Sequence, residues 1–256
     1  MEIKLSEKFE EWIQCFGIQP GPLLHIGAHL VQERHSYSKF GFEPVAWVEA
    51  QRDIVEEARV LLEQYPNQRI FQGALWSSSN HEMTFHIAGH EGSSSSLLEP
   101  HLITASHPEV WTKQEYQTLS ITLDDLIQHE SLAEDFRIIV LDVQGAEIEV
   151  IKGGTNALQN IDYIITEISS IELYKGTAKI RELSEVLNQL DFSMVASELN
   201  RSTGWGEALY MRKSLLTDDF SHSHIVVGKK YPKGRIVRTI LLIFGFKKLG
   251  RALRKK

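Results

Sequence analysis

The chain has almost no cysteine and no long apolar run. Cys15 is the only cysteine among its 256 residues, which excludes an internal disulfide and a metal site built from several cysteines. No stretch reaches the ~18 apolar residues that a membrane-spanning helix needs. Residues 1–11 alternate charged and apolar side chains and lack the apolar segment of a signal peptide. We therefore expect a cytoplasmic protein.

Basic residues are scarce over most of the chain. The formal net charge is −7, but residues 235–256 carry eight Lys and Arg side chains and no acid, which leaves −15 on residues 1–234. A nucleic-acid surface needs basic residues spread over the contact face. The acidic composition of residues 1–234 therefore excludes general binding of nucleic acid.

Two hydrophobic periodicities alternate along the chain. Short apolar runs predict buried strands, at Leu23–Ile26, Val45–Val48, Arg69–Phe71, Arg137–Leu141 and Tyr163–Thr166. Amphipathic stretches predict helices, at Val31–Phe40, Asp53–Tyr65, Ala146–Lys152 and Ile180–Leu190. A last pair of strands is predicted at Phe192–Ala196 and Ala208–Met211, whereas residues 97–117 are polar and give no strong signal. The pattern indicates an α/β fold with a mostly parallel sheet covered by helices on both faces.

In such a sheet, ligands bind beyond the carboxyl ends of the strands. The turn after the first predicted strand begins at Gly27, but His29 and Gln32 stand where a dinucleotide-binding loop would have further glycines. The loop therefore favours a nucleoside without a pyrophosphate, such as S-adenosylmethionine. Glu49 ends the second strand, where a carboxylate either binds a ribose diol or is simply a solvated acid.

Further motifs follow in order along the chain. The first part of the predicted fold contains His25–His29, Gln32–Glu33 and Trp47–Glu49. The middle and last parts contain Ser93–Leu97, Thr122–Asp125, Leu141–Glu147, Thr166–Ile168, Leu173–Tyr174 and Gly204–Tyr210. From about residue 23 to 212 these segments resemble those of the FkbM family of methyltransferases. The segments Asp142–Glu147 and Gly204–Tyr210 are the most specific.

The resemblance implies a class I methyltransferase fold, which is Rossmann-like, with a mostly parallel seven-stranded sheet and helices on both faces. It also implies S-adenosylmethionine as methyl donor and a hydroxyl group, often of a sugar or polyketide, as acceptor. Carried over by position, the residues that line the donor would be Gly27, Ala28 and His29 at the methionine end, Glu49 at the ribose, Gly73, Ala74 and Leu75 at the adenine, and Asp142 near the sulfonium.

One position departs from the family pattern. Where relatives commonly have glycine after the His29-Leu30 pair, this chain has Val31. A β-branched residue does not easily adopt a positive φ. Either Val31 is already helical, or the loop differs from that of the relatives.

Methyl transfer to an alcohol is helped by a general base. The candidate bases are Asp142, Glu147, Glu167, His29 and His107. We expect Asp142 or Glu167 to be the base, with Gln144 and Glu147 orienting it. The alternative for Glu147 is a first-turn helix acid favoured by the helix dipole. No histidine spacing typical of a metal site is present, and no metal is expected.

The basic C-terminal segment repeats apolar residues at spacings of three and four between Ile236 and Leu253. This pattern predicts an amphipathic helix that lies on an anionic membrane surface, or one that docks on protein. We therefore expect a helical lead-in over 1–22, a methyltransferase domain over 23–213, a linker over 214–234 and a basic helix over 235–256. The oligomeric state is not indicated.

The sequence thus predicts an O-methyltransferase that acts on a sugar hydroxyl of a surface glycan or glycoconjugate during polysaccharide biosynthesis. The basic helix would make it peripheral on the inner face of the cell membrane. The alternative is a non-catalytic module of the same fold that partners a glycosyltransferase at the membrane.

Overall fold

The computed structural model describes residues 5–89, 92–106, 108, 110–132 and 135–216, without the side chains of residues 5–8 and 106. The predicted basic helix over 235–256 lies outside the described residues, as does the predicted linker beyond residue 216. Within the described ranges, no helix is long and apolar enough to cross a membrane.

Ten strands and seven α-helices make up the described part of the chain. The strands are β1 Leu23–Ile26, β2 Val45–Glu49, β3 Gln68–Gln72, β4 Ala74–Leu75, β5 Glu82–Ala88, β6 Thr112–Ile121, β7 Ile138–Leu141, β8 Tyr163–Ser169, β9 Phe192–Asn200 and β10 Trp205–Arg212. The helices are α1 Leu5–Phe16, α2 Arg34–Phe40, α3 Arg52–Leu62, α4 Ile103–Ser106, α5 Leu123–His129, α6 Glu147–Lys152 and α7 Ile180–Gln189. Two short 3₁₀ helices lie at Ala157–Asn160 and Lys213–Leu215.

The main sheet has seven strands in the order β3-β2-β1-β7-β8-β10-β9. The first five of these are mutually parallel, and β10 runs antiparallel to both of its neighbours. The predicted class, a mostly parallel seven-stranded α/β sheet, is confirmed. Because β1, β2, β7 and β8 are parallel, their carboxyl ends meet at one edge, which is where a ligand is expected.

Apolar side chains cover both faces of this sheet. Every residue of β1, β2 and β7 is buried, because successive side chains along each strand point to opposite faces of the sheet and a hydrophobic cluster covers each face. On one face, helix α1 contributes Phe9 and Trp12 to the cluster that also holds Tyr37 and Phe42. The N-terminal helix is therefore an integral part of the core.

The alternation of apolar and polar residues over 82–87 predicts β5, but the pairing of β5 into a second, three-stranded sheet, in the order β4-β6-β5, was not predicted. Strand β6 lies largely in the polar stretch 97–117 and is exposed or half-buried at nine of its ten positions. It pairs antiparallel with β5 along Glu82–Leu119 to Ala88–Thr112. Periodicity gives no signal over most of β6, because backbone hydrogen bonds to β5, rather than a buried apolar face, hold this strand in place.

Helix α2 begins at Arg34 and not at the predicted Val31. Val31 precedes the helix with a φ of +48°, and His29 has a φ of +42°. The expectation that Val31 is already helical is therefore wrong, and it takes a conformation that favours glycine. Left-handed backbone costs roughly 1–2 kcal/mol for a side-chain-bearing residue. Complete burial of Val31 offsets this cost, since burying such a side chain contributes about 1.5–3 kcal/mol.

Candidate functional site

The turn after β1 lies against the end of β7. Gly27 has a φ of +86°, and a Cβ there would lie 1.8 Å from the carbonyl oxygen of Asp142. The missing side chain of Gly27 makes room for the neighbouring strand end. Gly27 therefore brings the turn and Asp142 together.

Glu49 is buried against the same turn. Its Oε2 accepts a hydrogen bond from the backbone N–H of His29 at 2.9 Å, and its Oε1 accepts one from Gln51 at 2.8 Å. A carboxylate has about four acceptor positions. Each oxygen therefore retains a position for one hydroxyl of a ribose diol. Burial raises the pKa of Glu49, and the backbone hydrogen bonds partly oppose that rise.

The other residues that were predicted to bind the donor lie in different environments. Ala28 is buried in the cluster that contains α1, and His29 is half-buried with its Nδ1 2.8 Å from Gln32 Nε2. A Cβ on Gly73 would contact only apolar side chains, and Leu75 belongs to the hydrophobic core. The predicted contact of Gly73, Ala74 and Leu75 with adenine stays a prediction.

Sequence reasoning missed Tyr116, which lies on β6. Its hydroxyl donates to the carbonyl of Ala50 at 3.4 Å. Burial raises its pKa to about 12, and the charges of Glu49 and Asp53 add to that rise. An aromatic ring is therefore present beside the Glu49 carboxylate, and only the unpredicted pairing of β6 brings it there.

Asp142 and Glu167, the acid pair, lie on adjacent strands. Asp142 directly follows β7, and Glu167 lies within β8, two residues before its end. The amide nitrogen of Gln144 bridges them, with distances of 2.7 Å to Asp142 Oδ1 and 3.0 Å to Glu167 Oε2. Gln144 has a φ of +53°, which turns its side chain back over the strand ends. The structure thus brings together three residues that the sequence predicted as catalytic or orienting.

Burial shifts both members of the acid pair. It raises the pKa of Asp142 to about 6, against the hydrogen bond from Gln144. It raises the pKa of Glu167 well above its usual value, and the negative charges of Asp142, Glu147 and Glu207 raise it further. One proton shared between two close acids is therefore favoured near neutral pH.

Glu147 faces its own backbone turn. Its Oε1 accepts hydrogen bonds from the backbone N–H of Val143 at 3.3 Å and of Gly145 at 3.1 Å. Burial raises its pKa to about 7. Glu147 therefore holds the loop that carries Gln144, which is the geometry of an orienting group. Of the other candidate bases, His107 lies outside the described residues.

A pocket opens beside the acid pair. It is an open depression whose empty space of about 420 Å³ includes open solvent, and its lining includes Gln144, Glu167, Tyr174 and Trp205. The indole N–H of Trp205 donates to Glu167 Oε1 at 3.0 Å. The pocket thus combines two aromatic side chains with a fixed carboxylate. In the described residues, no group of three or more His, Cys, Asp or Glu side chains is arranged to hold a metal ion.

The serine loop, Gly92–Ser96, crosses the sheet edge between Glu49 and the acid pair. Gln51 Nε2 donates to the carbonyl of Gly92 at 3.4 Å, and Ser96 Oγ donates to the carbonyl of Gln144 at 2.8 Å. Tyr174 Oη also lies 3.1 Å from the carbonyl of Ser94. The loop is therefore tied to both halves of the site.

Comparison with known proteins decides the family. The model of the methyltransferase FkbM domain matches residues 26–194, which is most of the chain and includes Glu49, Gln144 and the acid pair. The chain belongs to the FkbM methyltransferase family. The resemblance seen in its motifs is thereby confirmed. The match ends before Trp205, so this wall of the pocket lies beyond the FkbM domain as matched.

Two curated relatives show more limited similarity to this FkbM chain. The chain is 31% identical to the 2-O-methyltransferase NoeI of Sinorhizobium fredii over 134 residues, which cover 50% of the chain and 54% of the relative. It is 29% identical to the hexuronic acid methyltransferase AglP of Haloferax volcanii over 105 residues, or 41% of each protein. The chain thus spans about half the length, or less, of these relatives.

Among solved structures, the magnesium protoporphyrin IX methyltransferase of Synechocystis with bound SAM is similar to this FkbM chain with a TM-score of 0.47. The two share 12% identity, with 81% of this chain and 77% of that one covered.

Proposed function

We propose that the protein is an S-adenosylmethionine-dependent O-methyltransferase that methylates a sugar hydroxyl in a surface glycan or glycoconjugate. One observation carries the proposal. A carboxylate suited to a ribose diol and a bridged acid pair lie at the same sheet edge, with only β1 between Glu49 and Asp142. NoeI is a 2-O-methyltransferase and AglP is a hexuronic acid methyltransferase, and their similarity to this chain supports a sugar acceptor.

The donor fits the residues at the turn after β1. Glu49 has an acceptor position on each oxygen for the ribose hydroxyls, because each oxygen takes one backbone N–H. The turn itself carries no glycine at residues 29 and 32, so it suits an adenosyl sulfonium better than a pyrophosphate. When bound, the donor supplies an electrophilic methyl group.

The acid pair receives the proton of the acceptor hydroxyl. Gln144 binds Oδ1 of Asp142, and we assign Oδ2 to the acceptor hydroxyl. With its pKa raised to about 6 by burial, Asp142 is mostly ionised at neutral pH yet basic enough to take a proton. Glu167, whose pKa is raised further, keeps its proton. We therefore assign Asp142 as the base and Glu167 as its partner.

The pocket beside the acid pair suits a sugar ring. Trp205 and Tyr174 offer aromatic surface, and sugars present apolar C–H faces as well as hydroxyl groups. Positioning the hydroxyl in line with the methyl group contributes several kcal/mol to the rate enhancement. Trp205 fixes Glu167 at 3.0 Å, so the aromatic wall and the acid pair hold a constant geometry.

The cellular setting belongs to the same proposal. The basic segment 235–256, with eight Lys and Arg residues, would bring the enzyme to anionic lipid at the inner face of the membrane. Sedimentation with vesicles that contain anionic lipid, compared with neutral vesicles, tests this. Equal sedimentation with both would remove the membrane from the proposal.

Methyl transfer is tested with S-adenosylmethionine and glycan extracts from cells that lack the protein. A gain of one methylene mass on one sugar is expected. Asp142→Asn should lower kcat by roughly 100-fold or more, because a general base typically contributes 10²–10⁴-fold. Asp135→Asn is the matched control, because Asp135 is exposed and precedes β7, whereas Asp142 follows the same strand. Wild-type kcat in Asp142→Asn would refute the assignment of the base.

A further inference from the structure

The hydroxyl of Tyr174 has more acceptors than protons. The side chain is 2% exposed. Its Oη lies 2.8 Å from Gln144 Oε1 and 3.1 Å from the carbonyl oxygen of Ser94. A phenol carries a single proton, and both neighbours only accept. Tyr174 therefore donates to Gln144 or to Ser94, but not to both.

The amide of Gln144 decides which of the two acceptors receives that proton. In the orientation described, its nitrogen donates to both acids, which fits an ionised Asp142 beside a protonated Glu167, and Tyr174 donates to its oxygen. Rotation of the amide by half a turn exchanges nitrogen and oxygen. The nitrogen then donates to Tyr174 Oη, which frees the phenolic proton for Ser94. The amide oxygen then faces both acids, and each acid needs a proton in order to donate to it.

The two arrangements are thus distinguished by one proton. With Asp142 ionised and Glu167 alone protonated, the serine loop lacks the hydrogen bond from Tyr174. With both acids protonated, the rotated amide oxygen accepts from both of them, and the loop gains that bond. We propose that Tyr174 is a positioning residue, which acts through the rotatable amide of Gln144 to link the proton on the acid pair to the serine loop. This inference rests on the proposed function of the same site.

In the reaction, the O–H bond of the acceptor breaks and its proton passes to the acid pair. Gln144 then rotates, and Tyr174 donates to Ser94, so the loop is held while the methyl group is transferred. Loss of the proton to water reverses the rotation and removes this tie. Loop opening, and with it product release, therefore follows deprotonation.

Charged groups on four other parts of the fold face the acid pair and set its proton affinity. Glu147 begins α6, and Glu207 lies opposite Glu167 in the register of β10 and β8. Their negative charges favour retention of a proton on Glu167. Glu49 on β2 acts in the same direction on Asp142, whereas His29, in the turn after β1, opposes it.

The loop has other anchors that do not involve the phenol. Ser96 donates to the backbone of Gln144, and Gly92 accepts from Gln51. The ring of Tyr174 packs with Leu173 in a separate small apolar cluster. Tyr174→Phe should therefore fold and keep the loop in place, while it removes only the proton-dependent tie.

Hydrogen exchange of the loop amides, measured on the full chain without donor or acceptor, tests the inference. After correction for the intrinsic pH dependence of exchange, protection of Ser95, Ser96 and Leu98 should rise about fivefold from about pH 8 to about pH 5, the effect of one net hydrogen bond. In Tyr174→Phe, this protection should stay at the high-pH level of the wild type.

Tyr210→Phe is the matched control. The hydroxyl of Tyr210 hydrogen-bonds Ser184 on α7, and both residues are far from the serine loop in sequence. This variant should show the wild-type rise. Protection independent of pH in the wild type, or the same rise in Tyr174→Phe, would overturn the inference. Because no methyl transfer is measured, failure here is distinct from failure of the proposed function.

Steady-state kinetics provide a second test. In Tyr174→Phe, product release should no longer depend on deprotonation of the acid pair. The pH profile of kcat should therefore change, whereas kcat/KM should keep its wild-type pH profile. A purely structural role would instead lower both parameters together at every pH.

Discussion

The replacement Glu49→Gln tests the donor site most directly. The carboxylate accepts one backbone N–H on each oxygen, from His29 and from Gln51. Glutamine has one acceptor oxygen, so its NH₂ group must face one of those N–H donors. The variant therefore loses a backbone hydrogen bond and, with ligand bound, at least one bond to the ribose.

The expected effect on affinity follows from one lost hydrogen bond to a charged group. Such a bond contributes about 2 kcal/mol, which corresponds to about a thirtyfold increase in Kd for S-adenosylhomocysteine. The free energy of unfolding should change less, because removal of a buried charge, whose pKa is raised, offsets the lost backbone bond. Isothermal titration calorimetry measures the first quantity and urea unfolding the second. Glu57→Gln, an exposed position on α3, is the control.

A ligand that lacks the ribose 2′-hydroxyl turns this test into a double-mutant cycle. The wild type should lose affinity when that hydroxyl is removed, and Glu49→Gln should lose little more. Coupling close to zero between the side chain and the hydroxyl would show that Glu49 does not bind the ribose. The donor assignment would then be wrong, whatever the family.

Three further outcomes are expected. Gly27→Ala should lower the free energy of unfolding by several kcal/mol in urea, because its Cβ would lie 1.8 Å from the Asp142 carbonyl oxygen and its φ is +86°. The control Gly21→Ala, whose Cβ would have no atom within 4 Å, should change that free energy little. Glu147→Gln should flatten the pH dependence of stability: its folded pKa of about 7 lies above the ordinary 4.5, so the folded state holds more protons and stability falls as pH rises between those values. Above pH 7, the free energy of unfolding of Glu147→Gln should exceed that of the wild type by on the order of 1–3 kcal/mol, as measured by thermal unfolding. A variant less stable than the wild type at that pH would contradict the reasoning. Trp205→Phe, which keeps a ring but not the N–H, should lower kcat about tenfold with KM nearly unchanged, and a change confined to KM would assign the indole to acceptor binding alone.

Much of the site follows from strand ends alone. Glu49, Asp142 and Glu167 each terminate an apolar run, and parallel strands bring such residues to one edge. The family motifs add Gln144 and Glu147. These residues could be predicted because burial of the strands specifies their register and direction.

Other parts depend on pairings that periodicity does not report. Strand β10 inserts between β8 and β9, so Trp205 reaches Glu167 although 38 residues separate them in the chain. Tyr116 comes to Glu49 through the polar strand β6. Val31 shows the converse, because tertiary burial overrides its local preference for negative φ.

The order of the strands has a practical consequence for anyone who shortens this chain. A fragment cut to the family match, residues 26–194, would discard the aromatic anchors of α1 and nearly all of β1. It would also stop within β9 and omit β10, so that β8 would become a bare edge with unpaired backbone groups. Expression boundaries should therefore enclose at least residues 5–216, and fragments drawn from the homology alone should aggregate.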